Sequence, residues 1–471
     1  MNSPEYKEKR SVLLIASEDL VIRNTLETSV WEQIRQSFNG VHITLIVPRG
    51  RAKELGERYG AEGIEVREFC RTKPNRFDAL VSTLLYAGLP THTNHWSKMR
   101  AYLRGDASLV ATYAKRLHAA VLGRVHAYQW LLRWLFQIVG KDVQAQTLFD
   151  AVQPDVVISL SITNFEVDVV LMREAKRRGI RVVGMTRSWD NLTSHGALRV
   201  VPSRIIVQNE FLHDAVRGVQ GISKHRASVD IVGLPHYDVA RDVETYAGTR
   251  EAFCTEYGLD PRKKILIYGA MGTFLFKREN DLLFQFSLFA QKCSVGEDIQ
   301  FLYRPHPKFT LTQDSKSVPG VIIDRSATYR TEVNSERSAS QELFRSLYHA
   351  DVVITGASTF AIDAALLNKP TICINFDGSA SPGDVRYWES VNRFYDSYTH
   401  FEELVAQEGV RVVNSLESLS VELRAYLADP ERDTEGRARI IRRFVGATDG
   451  QAHYRLGAIL AHEIERDSIS L

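Results

Sequence analysis

One stretch of the sequence, residues 350–376, limits the fold of this chain more than any other. It reads ADVVITGASTFAIDAALLNKPTICINF, so a short apolar strand enters a turn of small residues, an amphipathic helix follows, and Pro370 precedes a second apolar strand. Strands that alternate with helices in this way are typical of a parallel sheet covered by helices. The stretch therefore predicts a β-turn-α-β unit of an α/β fold.

The small-residue turn of this unit predicts a phosphate site. Gly356, Ser358 and Thr359 lie where the strand gives way to the helix, and backbone N–H groups at a helix start favour an anion. Asp363, one helical turn further on, is spaced to accept hydrogen bonds from sugar hydroxyls. The alternative interpretation is that Ser358 or Thr359 only caps the helix and that Asp363 is a solvated acid of its first turn.

Chain length, composition and charge favour a globular protein of two domains without general affinity for nucleic acid. A chain of 471 residues exceeds one ordinary hydrophobic core, and its 44% hydrophobic and 25% charged residues are typical of soluble proteins. The formal net charge is only +2, so any basic chemistry is local. The four cysteines are isolated and no convincing Asp-x-Asp pair follows a strand, so we expect no bound metal.

The first half of the chain predicts a Rossmann-like domain over residues 1–238. Its first strand, SVLLIAS, is followed by a helical pattern over 18–38 and by the strands HITLIVPRG and IEVREF; further on, PDVVISLSI, IRVVGM and SRIIVQN alternate with helices. Ligands of doubly wound sheets gather at the carboxyl ends of the strands, which makes Glu18 and Asp19 candidate site residues. For each of them, a solvated loop position is the alternative.

Residues 71–141 have a helical pattern without strands, and we interpret them as a helical insertion in the first domain. Within this insertion, residues 124–141 combine Trp130 and Trp134 with leucines and flanking basic residues. The apolar run is too short to span a membrane, so it favours contact with a membrane surface or with a lipid-linked acceptor. A buried helix or a dimer contact is the alternative. Because the polar N-terminus leads directly into a strand, we expect a cytoplasmic protein, at most peripheral at the inner face of the cell membrane.

A polar loop after the strand IRVVGM carries Arg187, Asp190 and His195. A loop with these groups at the carboxyl end of a strand is costly to maintain unless the groups have partners or a ligand. We expect Asp190 to be the catalytic base, with Arg187 and His195 beside it and with Asp19 or Glu18 as alternatives. A structural turn around Asp190 is the competing interpretation.

A second Rossmann-like domain is predicted over 263–449, because KKILIYGAMGTF again forms a strand and a glycine-containing turn. A helical linker over 239–262 precedes this domain, and a C-terminal helix over 450–471 follows it. The predicted fold class is therefore α/β with two tandem Rossmann-like domains, and we expect the ligand in a cleft between them.

In the second domain, the strand IQFLY ends in Arg304 and His306, which alternate with two prolines. Proline fixes the chain, and a guanidinium fork beside an imidazole donor suits phosphate or carboxylate oxygens. A histidine between prolines also fits a structural role. A second anion-binding strand end in the domain that holds the turn over 356–359 nevertheless favours a nucleotide site.

These motifs resemble those of a known superfamily. The two tandem domains, the RPHP strand end and the sequence SLYHADVVITGASTFAIDAALLNKPTI are similar to the GT-B glycosyltransferases, and most similar to bacterial surface-polysaccharide enzymes. These include the CDP-glycerol glycerophosphotransferases and the Kdo and sialic acid transferases that carry a His-Pro motif. The segment SWDNLTSHG also resembles one in other bacterial members. The resemblance covers most of residues 11–375.

The resemblance implies a role for each motif of the second domain. It implies that His306, with Arg304, binds the donor phosphate, and that Asp363 contacts the ribose. Phosphate would also be held at the helix start by Ser358 and Thr359, and the loop with Gly272 and Thr273 would face the donor.

The same resemblance leaves the donor open among CMP-, CDP- and UDP-linked compounds. At Gly356 and Ala357 the sequence departs from the glycerophosphotransferases, which commonly have Asp-Tyr there. In this superfamily the acceptor and the catalytic base usually come from the first domain.

We therefore expect a metal-independent glycosyltransferase that moves a sugar from a nucleotide-activated donor to a glycan or lipid-linked acceptor in bacterial surface-polysaccharide synthesis, without a further cofactor. Fixed hydrogen-bond donors can stabilise a departing phosphate. The alternatives are a glycerol- or ribitol-phosphate transferase, a nucleotide-sugar 2-epimerase, which needs no acceptor, and a non-catalytic protein that binds nucleotide sugars.

Overall fold

The computed structural model describes residues 10–37, 40–61, 63–162, 166–272, 275–292, 299–306, 318, 320–324, 338–381 and 383–465. The chain divides into two compact units, one of Met1–His236 with Gln451–Leu471 and one of Tyr237–Gly450. Each unit is built on a parallel sheet with helices, which confirms the predicted α/β class with two Rossmann-like domains. Residues 239–262, expected as a linker, lie within the second unit, and the C-terminal helix lies within the first.

The first unit contains seven described strands, all paired in parallel. They are β1 (Ser11–Ile15), β2 (His42–Val47), β3 (Ile64–Glu68), β4 (Val156–Ser159), β5 (Arg181–Met185), β6 (Arg204–Val207) and β7 (Ser228–Ile231). Their order in the sheet is β3-β2-β1-β4-β5-β6-β7. The central strands are almost wholly apolar because helices cover both faces of a doubly wound sheet.

Helices connect these strands. They are α1 (Asp19–Val21), α2 (Val30–Ser37), α3 (Ala52–Tyr59), α4 (Arg76–Ala87), α5 (His92–Leu103), α6 (Leu109–Val121), α7 (His126–Val139), α8 (Val143–Val152), α9 (Glu166–Arg177), α10 (Asn191–Ser194) and α11 (Glu210–Asp214), with π-helical turns at Ile22–Leu26 and Ala215–Val219. The segment expected as a helical insertion contains α4 to α7. Side-chain caps explain three of these helix starts, since Asn75, Thr91 and Ser108 each accept a backbone N–H from the first turn.

The helical pattern expected over 18–38 is interrupted in the structure between α1 and α2. A π-helical turn, Ile22–Leu26, follows α1, and α2 begins only at Val30. The hydroxyl of Thr28 donates to the Thr25 carbonyl at 2.6 Å and accepts from the Val30 N–H at 3.3 Å. Such local side-chain hydrogen bonds compete with the regular helical pattern and account for the break.

The second unit contains a parallel sheet of six described strands. They are β8 (Lys264–Gly269), β9 (Ile299–Arg304), β10 (Val321–Ile323), β11 (Val352–Thr355), β12 (Thr371–Ile374) and β13 (Arg411–Val413). Their order is β10-β9-β8-β11-β12-β13. In each sheet the chain reverses its direction of growth once, beside β1 in the first unit and beside β8 in the second, and ligands of such sheets bind at this reversal.

The helices of the second unit begin with three short ones directly after its first residue and continue between the strands. They are α12 (Asp238–Arg241), α13 (Val243–Ala247), α14 (Arg250–Tyr257), α15 (Glu279–Lys292), α16 (Ala339–His349), α17 (Phe360–Leu366), α18 (Asn392–Ser397), α19 (Thr399–Val405), α20 (Leu416–Ala428) and α21 (Thr434–Phe444), and a short 3-10 turn, Pro235–Tyr237, precedes them. The core of this unit is rich in aromatic residues around β8 and β9, where Phe286 stacks on Phe301 with a centroid distance of 5.2 Å.

The last helix, α22 (Ala452–Glu465), completes the first unit. Leu456, Leu460 and Ile464 are buried in the same hydrophobic cluster as β1. A side chain at Gly457 would lie 2.4 Å from the amide oxygen of Gln33, so glycine permits the close packing of α22 on α2. The apolar spacing of the tail thus has its partner within the first unit.

Candidate functional site

The carboxyl ends of three neighbouring strands in the second unit bring two predicted phosphate motifs together. In the sheet register Gly269, at the end of β8, is paired with Arg304 of β9 on one side and with Thr355 of β11 on the other. Adjacent strands lie about 4.8 Å apart, so the ends of β9 and β11 are roughly 10 Å apart across β8. The motif at Arg304 and His306 and the turn over 356–359 therefore share one edge of the sheet, at its reversal point.

At the turn between β11 and α17, the hydroxyl that binds the helix backbone belongs to Ser358 and not to Thr359. The Ser358 hydroxyl oxygen accepts the backbone N–H of Phe360 at 3.2 Å, whereas Thr359 makes no capping bond through its side chain. Thr359 is exposed and Ser358 is half-buried. Both hydroxyls thus stand at the start of α17, one engaged with the backbone and one at the surface.

The glycines of these strand ends are required by close side-chain packing. A side chain at Gly356 would lie 1.9 Å from the sulfur of Met271, and one at Gly269 would lie 2.2 Å from the ring of Phe360. Gly272 has a φ of 85°, which favours glycine. Thr273, predicted beside it, lies outside the described residues. The loop after β8 and the turn after β11 therefore pack directly on each other.

Glu279, at the start of α15, is a residue of this edge that sequence reasoning missed. Its carboxylate accepts the backbone N–H groups of Met271 and Gly272, each at 2.7 Å, and the hydroxyl of Tyr268 at 3.0 Å. Burial raises the pKa of Glu279 to about 7, although the Met271 N–H and the Tyr268 hydroxyl lower it. The N–H groups that a glycine-containing loop would offer to a phosphate are here bound by a carboxylate of the chain. The only sequence signal was an acid shortly after the glycine turn.

Arg304 is held by a buried carboxylate. Its guanidinium donates to Asp324, which follows β10 and is fully buried, and the Arg304 side chain is only 10% exposed. His306 lies two residues beyond the end of β9 and is partly exposed. The structure thus anchors Arg304 to the neighbouring strand and leaves His306 as the more accessible member of the pair.

Asp363 is oriented by a tyrosine of its own unit. The residue is only 7% exposed, and its Oδ1 accepts the hydroxyl of Tyr237 at 2.5 Å. Tyr237 stacks edge to face on Phe344 at a centroid distance of 5.7 Å, which fixes its ring. The sequence contained no signal for this pairing, because the two residues are far apart in the chain.

In the first unit, Glu18 joins the ends of three strands at the reversal point of the sheet. Glu18 follows β1 and accepts the hydroxyl of Ser161, which follows β4, at 3.1 Å. It also accepts the guanidinium of Arg187, which follows β5. Arg187, expected beside Asp190, therefore pairs with the alternative candidate Glu18.

A buried acid, Asp168 of α9, lies next to this group and was not predicted. Its carboxylate accepts the hydroxyls of Ser17 at 2.5 Å and Ser159 at 2.7 Å. Burial raises the pKa of Asp168 to about 7, the two hydroxyls lower it, and the charge of Glu18 raises it further. The apolar helix pattern around Asp168 gave one indication, since a carboxylate in that position needs polar partners.

Asp190 and His195 lie close together at the two ends of α10. The distance from His195 Nε2 to Asp190 Oδ2 is 3.7 Å, and the Ser194 hydroxyl donates to the same carboxylate oxygen at 3.1 Å. Asp190 is 28% exposed. Asp19, the other predicted candidate, binds the guanidinium of Arg51 at 2.5 Å.

The loop that carries Asp190 is fixed by buried polar side chains. The amide of Gln220 donates to the carbonyls of Leu192 at 2.8 Å and Gly196 at 3.1 Å. Arg133 of α7 donates to the carbonyl of Leu198 at 2.9 Å and is buried. The loop is therefore a rigid element of the first unit.

The helical insertion presents a large exposed apolar face. Most of the exposed large hydrophobic residues that the structure describes belong to it, among them Phe77 and Leu80 of α4, Leu109, Val110, Tyr113, Leu117 and Val121 of α6, and Leu131, Trp134 and Ile138 of α7. The opposite face of α7 is buried through Leu132 and Phe136. Across the described ranges, no helix is both long enough and apolar enough to cross a bilayer. The same ranges hold no cluster of three or more His, Cys, Asp or Glu residues suited to a metal ion.

Comparison with protein families and with solved structures relates this chain to known enzymes. A family model described as CDP-Glycerol:Poly(glycerophosphate) glycerophosphotransferase matches residues 185–461, which is more than half of the chain. A comparison with curated proteins finds no match.

Among solved structures, the S. aureus MnaA–UDP co-structure has a TM-score of 0.53 and 10% sequence identity, with 98% of this chain and 99% of that chain covered. A putative UDP-N-acetylglucosamine 2-epimerase from Listeria monocytogenes has the same TM-score and identity and 98% coverage of both chains. The wall teichoic acid polymerase TagF has a TM-score of 0.48 and 12% identity, with 98% and 90% covered. At 10% identity the similarity to the MnaA and Listeria structures concerns the fold alone.

Proposed function

Because this chain belongs to the CDP-glycerol:poly(glycerophosphate) glycerophosphotransferase family, it is a transferase of nucleotide-activated groups in cell-wall polymer synthesis, and we propose that its second unit binds the donor phosphates at the ends of β8, β9 and β11. One observation carries this proposal. The register of β8 brings the end of β9 and the turn over 356–359 to a single edge of the sheet, at its reversal point.

The residues at this edge differ in their proposed roles. His306 and the hydroxyl of Thr359, which are accessible, contact the donor phosphates, and Asp363, oriented by Tyr237, accepts the ribose hydroxyls. Arg304 stabilises the strand end through Asp324, whose carboxylate balances its charge, so it offers the site fixed N–H donors rather than net positive charge. Fixed N–H or O–H donors lower the barrier by stabilising the charge that develops on the departing phosphate.

On the acceptor side, we propose Asp190 as the general base that removes the proton of the attacking hydroxyl. Its carboxylate is partly exposed, is oriented by Ser194 and has His195 within 3.7 Å. A base of this kind contributes about 10² to 10⁴ in rate. Glu18 is the less favoured candidate because the guanidinium of Arg187 neutralises it.

Two transferred groups are compatible with the donor site. In the first, which we favour, the acceptor hydroxyl attacks the anomeric carbon of a nucleotide sugar, the bond to the phosphate oxygen breaks, and the nucleotide leaves, as UDP or CDP from a UDP- or CDP-sugar and as CMP from a CMP-sugar. Small residues at Gly356 and Ala357, in place of the Asp-Tyr expected for glycerophosphotransferases, support this choice. In the second, family membership favours CDP-glycerol: the acceptor hydroxyl attacks the outer phosphorus, glycerol phosphate is transferred, and CMP leaves.

The leaving nucleotide distinguishes these two reactions directly. The intact chain is incubated with an acceptor-containing membrane extract and, separately, CDP-glycerol and a panel of UDP-, CDP- and CMP-sugars, and the released nucleotide is identified by chromatography. UDP, CDP or CMP released from the corresponding nucleotide sugar supports the favoured reaction, CMP released from CDP-glycerol supports the second, and release from none of them contradicts the proposed function. A parallel incubation without acceptor tests the epimerase alternative, since an epimerase converts the donor alone.

We further propose that the exposed apolar face of the insertion contacts the inner face of the cell membrane. Leu131 and Trp134 of α7 are 50% and 56% exposed, which is costly in water and favourable at a lipid interface. Replacing both by serine is expected to reduce co-sedimentation with lipid vesicles. Val421→Ser, at an equally exposed position of the second unit, is the matched control. Unchanged sedimentation of the double variant would contradict membrane contact.

A further inference from the structure

A charged pocket in the first unit lies outside the residues proposed for donor and acceptor. It is formed by residues 71–74 after β3, by α4, α7 and α9, and by residues 141–142. Arg199, which follows the loop that carries Asp190, completes it. Five cationic side chains line it, namely Arg71, Lys73, Lys141, Arg173 and Arg199. Its three anionic side chains are Asp78, Asp142 and Glu166. The pocket therefore carries a formal excess of two positive charges, as much as the whole chain.

The two buried arginines at the base of the pocket are held in place. Arg173 donates to Asp78 at 3.0 Å, and Arg199 donates to Glu166 at 3.0 Å and to Ser82 at 3.3 Å. The ring of Phe136 lies 4.6 Å from the Arg173 guanidinium and 5.6 Å from that of Arg199. Both cations thus have fixed positions and give the base of the pocket a directed array of N–H donors.

The carboxylates do not balance the cations at the mouth of the pocket. Glu166 also binds Arg71, and Asp142 accepts the N–H and hydroxyl of Thr72 while capping α8. Lys73 and Lys141 are both exposed and contribute the excess charge. Burial lowers the pKa of Arg199, the Glu166 carboxylate raises it, and the charges of Arg71 and Arg173 lower it by smaller amounts. The excess charge therefore lies with the two exposed lysines, where an anion would balance it.

From this arrangement we propose that the pocket binds a phosphate ester, with Lys73 and Lys141 at its entrance and the guanidinium groups of Arg71 and Arg199 further inside. Phosphate accepts several charge-assisted hydrogen bonds at once, which suits arginine forks beside flexible ammonium groups. The entrance adjoins the exposed apolar face, since Val139 and Val143 flank Lys141 in sequence and are exposed. The phosphate is therefore either that of a lipid headgroup or that of a free ester.

The test compares Lys73→Gln/Lys141→Gln with the control Lys53→Gln/Lys224→Gln, whose lysines are exposed elsewhere in the first unit. Binding of inorganic phosphate and glycerol 3-phosphate is measured by calorimetry, and binding to phosphatidylcholine vesicles with and without phosphatidylglycerol by sedimentation. A lysine near an anionic surface changes affinity roughly fivefold, so the double variant is expected to bind about 25-fold more weakly.

If the pocket variant binds inorganic phosphate or glycerol 3-phosphate more weakly than the control does, the pocket binds free phosphate esters. If only its binding to vesicles with phosphatidylglycerol is weaker, the ligand is a lipid headgroup. If the pocket variant matches the control in both arms, the proposal is overturned, and the cations serve only the ion pairs of the fold. Hydrogen exchange of residues 71–80 is a second measurement on the wild-type chain, because phosphate is expected to slow it. None of these results depends on transferase activity.

Discussion

The buried carboxylate of Glu279 makes the stability of the second unit dependent on pH. Burial raises its pKa from 4.5 to about 7. Between pH 4.5 and pH 7 the folded state therefore keeps a proton that the unfolded state has already lost. This contribution to stability is fully present below pH 4.5 and is lost as the pH rises through 7. The difference corresponds to about 3 kcal/mol of unfolding free energy.

The perturbation that tests this argument is Glu279→Gln. Glutamine does not titrate, so the part of the pH dependence that belongs to Glu279 disappears. The side-chain N–H₂ group of glutamine also faces one of the two backbone N–H groups that the carboxylate accepts. Because two donors then face each other without an acceptor, the free energy of unfolding falls by about 1–3 kcal/mol at every pH. Asp168 titrates in the same range, but it is present in both proteins and cancels in the comparison.

Scanning calorimetry of the intact chain at pH 5 and pH 8 measures the effect. About 2.5 kcal/mol of this effect falls between pH 5 and pH 8. For a unit of this size 1 kcal/mol shifts the melting temperature by about 2–4 °C, so the wild-type transition is expected to fall by roughly 5–10 °C more than that of the variant. Glu251→Gln, an exposed acid of the same unit, is the matched control and is expected to behave as wild type. Equal pH dependence in wild type and Glu279→Gln would refute the reasoning.

Three further predictions concern the proposed site. His306→Ala is expected to weaken donor binding by about tenfold or more, as expected for the loss of a hydrogen bond to a charged group, whereas the exposed His225→Ala is expected to bind the donor normally. Asp190→Asn is expected to leave donor binding unchanged and to reduce turnover about 10²- to 10⁴-fold. Arg304→Met is expected to destabilise the second unit by about 3–5 kcal/mol in denaturant unfolding, because it leaves the charge of Asp324 buried without its partner.

Each of these predictions has a contrary result. Normal donor affinity in His306→Ala would remove that residue from the site. An active Asp190→Asn enzyme would move the base to another residue, with Glu18 as the next one to test. The double change of Arg304→Met with Asp324→Asn is expected to recover part of the lost stability, and a double variant no more stable than the single one would contradict the role of the ion pair.

Most of the fold was predictable because it depends on local apolar patterns. The runs VVIT and TICI became the buried strands β11 and β12, and the alternation of such runs with helices is sufficient for an α/β assignment. The helical pattern over 18–38 is interrupted because Thr28 forms hydrogen bonds within its own turn. Apolar periodicity is insensitive to such side-chain bonds, so it cannot predict the break.

The candidate site was predictable only in part. The order of residues places Arg304 and His306 after one strand and Ser358 and Thr359 after another, and their residue types already favour phosphate. Whether these strand ends are neighbours depends on the order of the sheet, which inserts β8 between them. Glu279 was missed because its partners are backbone N–H groups, which every residue except proline has.

By itself, the sequence determined the class of fold, the number of sheets and the residue types available at each strand end, since these follow from patterns within a few residues. Only the tertiary structure decided the partners of those residues. Arg187 pairs with Glu18, Arg304 with Asp324 and Asp363 with Tyr237, each across many residues of chain. The physical reason is that a charged or polar group forms its bonds with whatever the packing of strands brings within about 3 Å, and that packing is a property of the whole unit.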